Sequence, residues 1–213
     1  FIEQHSEEIN KAGGRADAFS CDVRNDDAGE SCVNFALEKT QRLDITVNNA
    51  GVIEPLTHLI DSDPELWCQA VYINIIGVYN AIRASSPVMK KSGAGIIVNM
   101  SSGAANSALE GWSHYCSTKA AVKKITEVSH KELIGDNIRV VGLSPGTVAT
   151  SMMEKIRDSK INVVSNLDWS KHIPPEWAAE AVAFLCSPEG HEYAGTDFSI
   201  KTEEGRRRVG LPL

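Results

Sequence analysis

The chain has 213 residues, 42% hydrophobic and 23% charged, which suits one globular domain with a full core and excludes a disordered or fibrous protein. With 21 basic and 28 acidic residues the net charge is −7, so a phosphate backbone is repelled and nucleic acid is excluded as a general partner. The 5 cysteines form no C-x-x-C pair and the 6 histidines no H-x-x-x-H, so neither a disulfide framework nor a metal site is expected.

Phe1 to Ala12 reads as an amphipathic helix stopped by Gly13 and Gly14. Ala16 to Val23 then reads as a strand, Asp26 to Lys39 as a helix, and Leu43 to Val47 as a short apolar strand. Pro64 to Lys91 holds a long helix, with Asp63 as its N-cap and Pro64 in the first position. The run Gly95 to Met100 (GIIVNM) predicts a strand buried on both faces. A helix over Trp112 to Ile134 follows, then a buried strand at Ile138 to Leu143, a helix at Pro174 to Cys186 and a last strand at Thr196 to Ile200. Strands alternating with helices predict a doubly wound parallel sheet, Rossmann-like, in three α/β/α layers. Residues 151–173 have no clean period and follow a strand end, which places them as a substrate lid. No apolar run reaches the roughly 18 residues of a membrane helix. The absent signal segment and the cysteine usage point to the cytoplasm.

Several polar residues fall where such a sheet binds its ligand. Tyr115 and Lys119 stand four apart on one predicted helix face. A phenol with a pKa of about 10 must drop by roughly two to three units to exchange protons near neutrality, and an ammonium one turn away can supply part of that. Ser102 ends the Gly95 to Met100 strand, with Ser101 as its rival for the same role. Asn48-Asn49-Ala50-Gly51 and Pro145-Gly146-Thr147-Val148-Ala149-Thr150 each follow a strand in the same way. Asn74 lies in so apolar a stretch that it needs a buried partner. Met152, Met153, Ile156 and Trp169 are candidate pocket-lining residues, or core of the lid.

Taken together, NNAG at 48–51, Asn74, Ser102, Y-x-x-x-K at 115–119 and PGTVAT at 145–150 resemble the short-chain dehydrogenase/reductase family in order and spacing. The resemblance implies an oxidoreductase that moves a hydride between NAD or NADP and a ketone or secondary alcohol. It assigns Tyr115 as general acid in reduction and base in oxidation. Lys119 would lower the tyrosine pKa and hold the cofactor ribose, Ser102 would bond the substrate oxygen, and Asn74 would hold a relay water. Asp22 and Val23 would meet adenine, Asn49, Ala50 and Gly51 would line the cofactor, and Pro145, Gly146, Val148 and Thr150 would meet the nicotinamide. It also implies a homodimer or homotetramer, with the Tyr115 helix and its long neighbour at an interface.

The chain departs from the family in two places. The glycine-rich T-G-x-x-x-G-x-G loop is absent, so roughly forty residues are expected upstream of Phe1, carrying that loop and the acidic or basic residue that selects NAD or NADP. The predicted strand at Ala16 to Val23 would then be separated from Leu43 to Val47 by two vacant places in the sheet. The last strand also lacks the usual Asp-Gly-Gly. Two other readings stand beside the enzyme: a non-catalytic cofactor-binding or redox-sensing protein on the same fold, and an inactive truncated form.

Overall fold

The structure is a computed structural model and describes residues 2–213. Phe1, counted above in the first helix, lies outside the described residues. In chain order the main elements are α1 (Ile2–Lys11), α2 (Asp26–Thr40), β1 (Ile45–Asn48), α3 (Pro64–Val71), α4 (Gly77–Ser92), β2 (Gly95–Met100), α5 (Ser113–Leu133), β3 (Ile138–Ser144), α6 (Ser151–Ser159), α7 (Pro175–Cys186), β4 (Asp197–Ser199) and α8 (Glu203–Val209). The four strands form one parallel sheet in the order β1-β2-β3-β4.

Both faces of this sheet are covered, which is why GIIVNM and the β3 segment are apolar almost throughout. On one face Ile97, Val140 and Ile138 pack with Val78, Ile82 and Met89 of α4 and Val122 of α5. On the other, Val98, Val141 and Leu143 pack with Ala181 and Leu185 of α7. Leu143 is fully buried in the second cluster. Truncating it removes a side chain that its neighbours cannot close over, so Leu143→Ala is expected to cost about 2–5 kcal/mol. Urea denaturation of the two proteins checks this; a loss below about 1 kcal/mol would contradict the packing.

Local chemistry sets the ends of the helices. Asp63 accepts from Glu65 N (2.8 Å) and Leu66 N (3.1 Å), with Pro64 following, as expected for an N-cap. The long helix is not uniform, however. Between α3 and α4 the chain makes one wider π-type turn over Tyr72–Ile76, closed by Gly77 N–H on the Tyr72 carbonyl.

One predicted strand is corrected. Residues 16–23 belong to no ladder, because extended chain becomes a strand only where a partner strand offers its N–H and C=O groups. Here the neighbour is a helix: Asn80 Nδ2 of α4 donates to Val23 O at 3.0 Å, and the Val23 side chain lies against Gly77. The outer edge of β1 has no paired strand among the described residues, and Ile45 and Val47 are 44% and 41% exposed there.

The segment after β3 is also more ordered than its pattern predicts, since α6 occupies its first half. Ala149 N donates to Ile173 O and Ile173 N to Thr147 O, both at 2.9 Å. Residues 150–172 therefore form an excursion closed at its base. Among the described residues no helix is long and apolar enough to cross a membrane.

Candidate functional site

The carboxyl end of β2 delivers Ser102, and the first two turns of α5 deliver Tyr115 and Lys119. The Ser102 hydroxyl is near enough to that of Tyr115 to favour the phenolate form. Ser102 Oγ also accepts from Ala104 N at 3.2 Å, which fixes its rotamer. Ser101, the rival, points elsewhere: its hydroxyl donates to Asp197 Oδ2 at 3.1 Å. Lys119 Nζ lies 5.6 Å from the Tyr115 ring centroid and donates to the Met100 carbonyl at 2.7 Å. Both side chains are almost enclosed, Tyr115 at 9% and Lys119 at 6% exposure.

The electrostatics differ from the expectation that Lys119 lowers the phenol pKa. Burial pushes Tyr115 above its ordinary value of 10, opposed by the Ser102 hydrogen bond. Burial likewise lowers Lys119 to about 8, opposed by the charge of Asp197. The ammonium is turned to the Met100 carbonyl. Among these residues alone, then, Tyr115 holds its proton at neutral pH, which is the acid form that carbonyl reduction needs.

Asn74 sits in the π-type turn and is 1% exposed. Its Oδ1 accepts from Val52 N (2.9 Å), and its Nδ2 donates to Val52 O (3.0 Å) and Thr118 Oγ1 (3.1 Å). Both amide hydrogens are thus committed to scaffold groups. A Cβ at Gly51 would lie 3.4 Å from Asn74 Oδ1 and 3.9 Å from Lys119 Nζ, so this loop residue sits directly beside both.

The residues expected to hold a dinucleotide are spread along the same end of the sheet. Val23, Asn49 and Ala50 line one cleft of about 70 Å³ with Val47, Asn48, Ile73, Gly77 and Val78. Asn48 itself is structural, donating from Nδ2 to Asn99 Oδ1 at 2.7 Å and so joining β1 to β2. Asp22 does not share the cleft lining. Its carboxylate is paired with Arg24 at 2.6 Å and accepts from Arg24 N, and those hydrogen bonds pull its pKa down to about 2. Pro145 and Gly146 leave the end of β3, Val148 bridges to Ile173, and Thr150 directly precedes α6 with its hydroxyl donating to Val148 O at 3.3 Å. These positions fit a nicotinamide dinucleotide at the Lys119 and Ser102 end: a serine hydroxyl near a phenol, and an enclosed ammonium with hydrogens left to donate beside the bare backbone of Gly51.

An apolar cluster surrounds Tyr115. Trp112 stacks edge-on at 5.6 Å, and Ile53, Ala104, Met153 and Ile156 complete it, with Met152 partly buried alongside. Trp112 Nε1 and His172 Nδ1 are buried without a protein partner among the described residues. Trp169 is not in this cluster; it stacks on His172 and Arg157. Lys155 on α6 pairs with Glu54, tying the excursion to the loop after β1. A wide groove of about 810 Å³ between Ala104–Glu110 and the outer face of α5 includes none of Ser102, Tyr115 or Lys119. Sequence reasoning missed Trp112, whose place three residues before Tyr115 was the available signal, and Asp197, which had none. No group of three or more potential metal ligands occurs among the described residues.

Comparison with known proteins gives the family and the fold. Residues 2–161 match the family model for short chain dehydrogenases. The chain is 32% identical over 188 residues to the 3-oxoacyl-acyl-carrier-protein reductase FabG of Thermotoga maritima, covering 88% of this chain and 76% of that one. It is 32% identical over 196 residues to the cyclopentanol dehydrogenase of a Comamonas species, covering 91% and 78%. The solved 3-ketoacyl-(acyl-carrier-protein) reductase of Brucella melitensis, complexed with NADH, superimposes with a TM-score of 0.81 at 29% identity, covering 93% of this chain and 81% of that one. The chain belongs to the short-chain dehydrogenase family, a family of NAD(P)-dependent oxidoreductases.

Proposed function

We propose that this chain reduces a ketone, or oxidises the matching secondary alcohol, with NAD or NADP as hydride carrier, and that Tyr115 handles the proton. The observation that carries the reading is the enclosed Tyr115, with the Ser102 hydroxyl near its own and the enclosed Lys119 ammonium 5.6 Å from its ring. When bound, the nicotinamide supplies or accepts the hydride at the carbonyl carbon. The chain's own residues do the rest. Ser102 donates to the substrate oxygen, and Tyr115 transfers its phenolic proton to that oxygen as negative charge develops there. Lys119, held by Met100 O, has hydrogens left for the ribose hydroxyls. Val23, Asn49, Ala50 and Gly51 line the dinucleotide, Asp22 acts through the turn it caps, and Pro145, Gly146, Val148 and Thr150 face the nicotinamide. Asn74 anchors the loop at Val52, and a relay water there would use an acceptor atom of Asn74, because both amide hydrogens are taken.

Residues 150–172 act as the lid, with Met153 and Ile156 as the apolar wall of the substrate site. The chain works as one domain, in the cytoplasm, as a homodimer or homotetramer joined through α4 and α5. Exposed Tyr72 and Tyr79 on the π-type turn and α4 support that interface.

Turnover of a ketone panel with NADH and NADPH, followed between pH 6 and 9, tests the reading. Reduction needs Tyr115 protonated and Lys119 charged. Burial keeps the first true to high pH, and the second is lost as pH rises through about 8. Reduction is therefore expected to be flat at neutral pH and to fall across that point. No consumption of either cofactor with any ketone would overturn the assignment.

A further inference from the structure

Two tryptophans meet the start of α5, and they are treated differently. Trp67 Nε1 of α3 donates to Ser113 Oγ at 3.1 Å. Trp112, which directly precedes that serine, is 4% exposed, and its Nε1 is buried with no acceptor among the described residues. A buried indole N–H normally meets a hydrogen-bond partner, so an unmet one needs a cause.

The surroundings indicate what that cause is. Trp112 packs with Ile53, Ala104, Met153 and Ile156, whose side chains carry no oxygen or nitrogen. It stands edge-on to the Tyr115 ring, with centroids 5.6 Å apart. An ordered water needs about two to four polar partners, which this wall does not offer. A molecule that brings its own acceptor needs only the one donor. Met153 and Ile156 come from α6, and the rest of the excursion presses on the turn that carries the indole. A Cβ at Gly111 would stand 2.2 Å from Ile161 Cδ1, and Asn162 Nδ2 donates to Glu110 O at 2.8 Å. Trp112 and Tyr115 thus share one apolar wall, part of which residues 150–172 supply, so movement of that excursion opens the space around both rings.

We propose that Trp112 is a specificity-determining residue: its indole N–H receives a second oxygen of the substrate, and the chain favours ketones with such an acceptor close to the reacting carbonyl, as in a β-keto ester. The proposal rests on the roles given above to Tyr115 and to residues 150–172. The short spacing of the two rings limits how far apart the two substrate oxygens can lie. A ketone with only a hydrocarbon chain meets the same apolar wall but leaves the N–H unmet, and a site with an unmet buried donor discriminates against it. Ser102 and Tyr115 act on the reacting oxygen of either molecule, so the difference appears in binding and not in the chemical step.

The test compares ethyl acetoacetate with methyl pentyl ketone. Labelling with 15N at tryptophan gives one indole signal for each of the 4 tryptophans. The Trp112 signal is the one that survives replacement of Trp67, Trp169 and Trp177 in turn by phenylalanine. With oxidised cofactor present, so that nothing turns over, it is expected to move downfield with ethyl acetoacetate and to stay in place with methyl pentyl ketone. A signal that does not move, or moves equally with both, overturns the proposal, and this arm decides even if Trp112→Phe does not fold. Where it folds, Trp112→Phe keeps an aromatic wall and removes the donor. Its KM for the keto ester is expected to rise about tenfold with kcat within about twofold, while both constants for methyl pentyl ketone hold. Equal losses with both ketones would leave Trp112 as wall alone and overturn the proposal too. A shifted signal in a chain that reduces no ketone would remove the oxidoreductase reading and leave the donor. Reduction without the shift or the KM difference would remove the Trp112 role alone.

Discussion

Tyr115→Phe is expected to lower turnover at least about a hundredfold while cofactor affinity stays within a few-fold of the parent. The change deletes one oxygen. The ring keeps its place in the apolar cluster with Trp112, Ile53 and Met153, and the α5 backbone is untouched. What disappears is the proton that burial keeps on the phenol, beside the Ser102 hydroxyl. A hundredfold loss corresponds to about 2.7 kcal/mol of barrier, within the range for a positioned acid. Steady-state turnover with an accepted ketone, beside a cofactor titration read by fluorescence, separates chemistry from binding. Near-normal turnover would remove Tyr115 from the chemistry and with it the reading of the site. Stability should change little, because a phenylalanine fits the same space and leaves only one hydroxyl to find a new partner.

Much of this architecture was legible because its causes are local. Asp63-Pro64 announces a helix start through a cap and a preset φ, and α3 begins there. GIIVNM is apolar at every position but one because both of its faces are covered, and β2 spans those six residues. The four-residue spacing of Tyr115 and Lys119 is a property of any helix, so their shared face followed from the sequence alone. The failures have non-local causes. Residues 16–23 have the pattern of a strand, yet strand character depends on a partner elsewhere in the chain, and there the neighbour is α4. The π-type turn at Tyr72–Ile76 is set by where Asn74 finds Val52 and Thr118, 22 and 44 residues away. The direction of the Lys119 ammonium depends on the Met100 carbonyl, which the spacing along α5 does not reveal. Asp197 lies 96 residues from its serine, inside a segment that reads simply as a last strand.

Asn74→Ala is expected to destabilise the protein by about 2–3 kcal/mol and to reduce turnover by more than about tenfold. Three hydrogen bonds go at once, and the Val52 N–H and C=O lose the partner that fixes them. Leaving such groups unpaired costs about 1–3 kcal/mol each where they stay buried, and a partial opening of the loop recovers some of that. For a domain of this size the loss corresponds to a fall of about 5–10 °C in the melting temperature. The loop that loosens carries Gly51, whose backbone lies beside Lys119, so the damage reaches the cofactor side before it reaches Tyr115. Weaker cofactor binding should therefore accompany the slower turnover, in contrast to Tyr115→Phe, where binding holds. An Asn74→Ala protein with the parent melting temperature would show that the π-type turn does not depend on its asparagine. If that protein were also slow, the residue would act on proton movement and not through the loop it anchors.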